Sequence, residues 1–107
     1  MRAMVNRHRG EVSAVIDGTP RVLCLTLGAL AELEHALELD NLSQLGDRLA
    51  KGLSAGDILA VVTAGLRGAG ETVTPDEVAQ MRCDGGATGF ARLAADLMTA
   101  TFPDISP

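Results

Sequence analysis

The spacing of apolar positions changes once along this chain, from every second residue to every third or fourth. Val12, Ala14 and Ile16 alternate with Glu11, Ser13 and Val15. Asp17-Gly18 interrupts the run, Pro20 follows, and Arg21-Val22-Leu23-Cys24-Leu25-Thr26 is a second β-prone stretch. An Asp-Gly pair between two such runs predicts a β-hairpin, because Gly adopts positive φ without steric cost. If Leu23 and Leu25 face a core, Val22 and Cys24 face the other way, since side chains alternate along a strand. A lone two-stranded hairpin is marginal in water and must lie on something. It would still leave strand edges open for protection or for pairing.

From Thr26 onward the pattern is helical. Thr26 caps a first helix over about Leu27–Leu39, with Leu27, Leu30, Leu33 and Leu37 inward and Glu32, Glu34, His35 and Glu38 outward. Asp40-Asn41 breaks it, and Leu42, Leu45 and Leu49 give a second helix that Lys51-Gly52 ends. Ser54 and Asp57 have the spacing of a capping box. The helix they open carries Ile58, Leu59, Val62 and Leu66 on one side, and Val61 and Ala64 widen its apolar arc, which predicts a central position. Gly65 weakens its last turn, and Arg67-Gly68-Ala69-Gly70 stops it. Thr74-Pro75-Asp76-Glu77 is the clearest helix start, with cap, Pro at the first position and Glu completing the box. That fourth helix is short, with Val78 and Met81 inward. Asp84-Gly85-Gly86 reads as a flexible joint before a last helix over about Ala87–Thr101, whose buried stripe is Phe90, Leu93, Ala94 and Leu97. The expected fold is therefore α+β, an N-terminal β-hairpin packed on about five short α-helices. It forms a single domain over 1–107 with 1–9 and 103–107 as flexible tails.

Composition narrows the function more than it names it. Only Phe90 and Phe102 are aromatic, so the core is built from Leu, Val, Ile, Ala and Met. The net charge is −5, and the nine Lys and Arg are scattered. An acidic chain without a basic stripe is a poor ligand for nucleic acid. Arg7-His8-Arg9 is a small basic cluster that reads as a solvated tail. No stretch approaches a membrane span, and the N-terminus holds no apolar run of the signal-peptide kind. A cytoplasmic protein with reduced Cys24 and Cys83 is the expectation. Met4 offers a second possible start.

Catalysis needs convergent groups, and few are in view. His35 beside Glu32, Glu34 and Glu38 suggests a metal site on paper, but a Glu-rich helix face is ordinarily solvated. Cys83 lies beside Arg82, and a neighbouring cation lowers a thiol pKa, yet no base accompanies it. Gly65-Leu66-Arg67-Gly68-Ala69-Gly70 superficially matches a phosphate loop, but it follows a helix and opens none. No catalytic, metal or cofactor residue is expected; a small thiol or metal enzyme is the remote alternative.

Two stretches carry a resemblance: Asn6-Arg7-His8-Arg9-Gly10-Glu11 and Leu25-Thr26-Leu27-Gly28-Ala29-Leu30-Ala31-Glu32-Leu33-Glu34. Together with Gly65 to Gly70, the Thr74 to Glu77 helix start and Gly85-Gly86 before an Ala-rich helix, they make the chain resemble the small tail protein of gene transfer agents, which are domesticated phage particles. That family is described both as a tail tube protein and as a tail assembly chaperone. A tube subunit is expected to contain substantial β-structure, so the helical pattern favours the chaperone. The resemblance implies tail proteins as partners, the tape-measure and tube proteins among them, and a possible homo-oligomer, with no nucleic acid or membrane. The alternative it implies is a structural tail component that stays in the particle. The contact surface expected on this reading is the outer face of the hairpin with the start of the first helix: Val12, Ala14, Val22, Cys24 and Arg21.

Overall fold

Asp17 and Gly18 make a two-residue turn with φ of 54° and 74°. Two positive φ values define a type I′ turn, whose twist matches that of the flanking strands. In the computed structural model, which describes residues 10–102, the turn joins β1 (Val12–Ile16) to β2 (Thr19–Leu23). The expected tails at 1–9 and 103–107 lie outside the described residues. The strands are antiparallel, and the turn fixes their register: Ile16 pairs with Thr19, Ala14 with Arg21 and Val12 with Leu23. Pro20 lies opposite Val15. Counted from the turn, that is a non-hydrogen-bonded pair, so its missing N–H removes no ladder bond.

Five helices follow: α1 (Leu27–Ala36), α2 (Ser43–Lys51), α3 (Ala55–Gly68), α4 (Pro75–Ala79) and α5 (Gly86–Thr101). The α+β fold predicted from the sequence is the observed one. Thr26, Ser54 and Thr74 all cap as expected, and Ser54–Asp57 and Thr74–Glu77 both close reciprocal capping boxes. The start of α2 has no side-chain cap from its N-cap residue. Leu42 is the cap residue, and the Asn41 side chain accepts from Ser43 N–H at 3.0 Å.

The first helix is shorter than its apolar spacing implies. Leu37 caps it, Glu38 turns left-handed at φ 55°, and Leu39 N–H bonds back to Glu34 O at 2.8 Å. This closes the helix in a Schellman arrangement with a glutamate where glycine is preferred. We expect Glu38→Gly to raise stability by about 0.5–1 kcal/mol, read as a higher urea midpoint at unchanged slope. Leu27 also departs from expectation. It sits in the first turn 80% exposed, and Ala29, Leu30 and Leu33 form the buried face instead.

Helix α3 is central, packing against α1, α4, α5 and β2. Val61, Val62 and Leu66 on it, with Ile16, Leu23, Leu33, Leu45, Leu97 and Met98, are essentially inaccessible to solvent. Burial of each such side chain contributes about 1.5–3 kcal/mol. Gly65, which looked like a weak point, has a packing reason. A Cβ there would lie 2.5 Å from Leu97 Cδ2 and 3.2 Å from Leu23 Cβ, and the Gly65 carbonyl accepts from Cys24 N–H at 3.0 Å. The end of β2 thus lies directly on the α3 backbone.

Candidate partner-binding surface

The hairpin residues singled out in the sequence do not share a face. Residues paired across an antiparallel ladder point to the same side. Val12 therefore faces inward with Leu23 and is buried, and Ala14 is on that side with Arg21. Val22 lies on the opposite side, paired with Ser13. Cys24 is past the end of β2, half-buried, with Sγ 3.5 Å from the Gly68 carbonyl. Arg21 is committed within the fold. Its guanidinium donates to Glu71 at 2.6 Å and to the Ile16 carbonyl at 3.3 Å. The expected outer face is thus corrected in its membership: Val22 belongs to it, whereas Val12 is core and Arg21 is a tie to the α3–α4 loop.

The strand edges are also less open than expected. Arg82 to Asp84, read from the sequence as the approach to a flexible joint, runs alongside β1. Asp17 N–H donates to Arg82 O at 2.7 Å, Arg82 N–H to Asp17 Oδ1 at 2.8 Å, and Asp84 N–H to Val15 O at 3.4 Å. Ile16 and Cys83 form an isolated antiparallel bridge. On the other edge, Pro20 offers no donor and the Cys24 N–H is taken by Gly65. Val22 is left between them with its backbone groups directed outward.

Two titratable groups, Asp57 and Cys83, are shifted by their surroundings. Asp57 is 6% exposed and receives hydrogen bonds from Ser54 N–H at 3.0 Å and Arg48 at 2.6 Å. Burial, the largest single influence, pushes its carboxyl up; the Ser54 backbone N–H, the Arg48 guanidinium and the Ser54 hydroxyl together outweigh it and hold the carboxyl below its ordinary value. A depressed carboxylate stabilises the fold above its unfolded pKa, and that stability is lost as pH falls through the folded value. We therefore expect stability to drop on acidification below about pH 4. Arg48 is more than a third exposed, so screening limits the pair. Asp57→Asn should cost about 1 kcal/mol at neutral pH and flatten the acid limb, as followed by urea melts from neutral to acid pH.

Cys83 behaves in the opposite sense to an activated thiol. Burial, then the Asp84 charge, push it above its usual value, which suppresses the thiolate at neutral pH. Among the described residues no group of three or more His, Cys, Asp or Glu is placed to hold a metal ion, and His35 is exposed on α1.

Two of the surface concavities are lined mainly by apolar side chains. One, of about 530 Å3, lies between α1 and α3 over Leu33, Ala36, Leu59 and Ala64, with Glu32 and Arg67 paired at 3.2 Å beside it. The other, of about 190 Å3, lies between α3, α4 and the start of α5 and is lined by Ile58, Leu59, Val62, Val78, Met81 and Phe90. Phe90, expected in the buried stripe of the last helix, is only half-buried there, and Met98 takes the deeper place. No helix among the described residues is long and apolar enough to cross a membrane.

These features define a small α+β protein whose distinctive surface is apolar and concave. Residues 9–104 match the family described as phage tail tube protein, GTA-gp10, and the chain belongs to that family of phage and gene-transfer-agent tail proteins. No curated protein and no solved structure gives a match.

Proposed function

We propose that this tail protein is an assembly chaperone that binds the tape-measure protein before the tube forms around it, and that it works by binding rather than by catalysis. The observation that carries this reading is the balance of the fold: two five-residue strands against five helices. A tube subunit is expected to build its ring from a larger β-structure, and this sheet has one edge engaged by Arg82–Asp84 and the other interrupted by Pro20. An apolar groove on an acidic surface suits reversible cover of a long helical partner. The protein would act in the cytoplasm where particles assemble.

Co-expression with the tape-measure protein, followed by a pull-down, tests the reading. Retention of the tape-measure protein is the expected result; loss of it at physiological salt would sink the proposal. The family description also keeps a structural tail role in view. Mass spectrometry of purified particles separates the two: a chaperone is depleted, whereas a tube component is present in ring stoichiometry.

A further inference from the structure

We infer that the groove between α3, α4 and α5 is the docking site for a cationic amphipathic helix of the partner; this rests on the chaperone reading for the partner's name but not for its chemistry. The volume, about 190 Å3, is below the roughly 300–1,000 Å3 of small-molecule sites. It has room for a few side-chain anchors, not for a metabolite. Its floor is Val62 and Val78, both buried, and its walls are the half-buried Ile58, Leu59, Met81 and Phe90. An unbranched Met in the wall adapts to differing anchors. Ala55, Ala79 and Ala87 are exposed at the same groove. Their short side chains let a second helix lie close, with anchors at i, i+3/i+4 and i+7 entering between them.

Charge selects the occupant. Residues 10–102 hold thirteen Asp and Glu against six Lys and Arg, a net of −7. Three of those six cations are spent on ion pairs: Arg21 with Glu71, Arg48 with Asp57 and Arg67 with Glu32. Helix α4, one wall of the groove, carries Asp76 and Glu77 and no cation, and in the segment after it Arg82 and Asp84 offset each other. Lys and Arg flanking an apolar stripe would meet this field within about a Debye length.

The test uses the full chain and two synthetic helices of about 18 residues, long enough to hold helical structure. Both carry Leu at i, i+3, i+4 and i+7; one has Lys on its flanks, the other Glu. By fluorescence anisotropy the Lys peptide should bind and the Glu peptide should bind at least about tenfold more weakly. Ala79→Arg and Ala87→Arg, each filling the groove from an exposed position, should each weaken the Lys peptide by about tenfold or more. Ser43→Arg adds the same charge at an exposed position of α2 and should leave binding within about threefold. Equal binding of both peptides, no binding, or a Ser43→Arg loss as large as that of the groove variants would overturn the assignment. In the tape-measure pull-down the two ideas separate. Retention by the wild type that survives both groove variants rejects the groove and keeps the chaperone. Lys-peptide binding without tape-measure retention rejects the chaperone and keeps the groove.

Discussion

A Gly68→Ala chain is expected to lose about 3 kcal/mol of stability or more. Helix propensity alone forecasts the opposite sign, a gain of up to about 1 kcal/mol for alanine in a helix. The close approach of β2 decides the matter. A Cβ on Gly68 would overlap the Cys24 carbonyl oxygen and lie 3.3 Å from Ala29 Cβ. The obstacle is backbone at the end of a strand, so no rotamer change relieves it. Two other positions on α3 calibrate the result. Gly56 has only Ser54 Oγ within reach, at 3.8 Å, so Gly56→Ala should be neutral or stabilising by about 0.5 kcal/mol. Gly65→Ala should fall between, since Leu97 Cδ2 is the end of a side chain that can shift while Leu23 Cβ is not. Urea denaturation of the three variants gives the ranking. A Gly68→Ala midpoint equal to that of Gly56→Ala would show that β2 does not lie on the α3 backbone.

The same device recurs at the other end of the molecule. A Cβ on Gly89 of α5 would overlap the Asp84 carbonyl oxygen and approach Cys83 Sγ at 3.6 Å. Gly89 thus lets α5 press against the segment that pairs with β1. The hairpin, marginal alone, is held at β2 by the α3 glycines and at β1 by Arg82–Asp84. This clamping removes much of the strand edge from use by a partner and leaves the apolar openings on the helices.

The elements of the fold were legible because their signals are local. Thr26, Ser54–Asp57 and Thr74–Glu77 name the starts of three helices through hydrogen bonds spanning three residues, and Asp17-Gly18 names the turn. The register was legible too, once the turn is counted. A two-residue loop pairs Ile16 with Thr19 and therefore Val12 with Leu23, so Val12 could not lie on a face with Val22. What local pattern does not carry is contact across distance. Asp17 meets Arg82 from 65 residues away, and no periodicity marks that pairing. Gly65 and Gly68 look like helix breakers in sequence because their partners, Leu23 and Cys24, lie more than forty residues earlier. The groove has the same character: Ile58, Met81 and Phe90 belong to three separate stretches that only the packing of α4 and α5 on α3 brings together.

Placing one carboxylate at two positions of the hairpin makes the register measurable. Val12→Asp is expected to cost on the order of 3–5 kcal/mol, enough to unfold a marginal domain. Val12 is 3% exposed beside Leu23, so the charge would be buried without a cation to meet it. Val22→Asp makes the same chemical change on the face that Val22 shares with Ser13, half-open to solvent, and should stay within about 1 kcal/mol of the wild type. A slip of one residue in pairing would put Val12 and Val22 on the same face, so the two substitutions would then have like effects instead of opposite ones. Thermal melts by circular dichroism therefore read the register directly. The folded Val22→Asp protein then serves a second purpose. If the hairpin surface is what holds the tape-measure protein, this variant loses it at an unchanged melting temperature. If the groove holds it, Val22→Asp retains the partner and Ala79→Arg does not, which puts the working surface on the helices and leaves the hairpin as the part that fixes α3 in place.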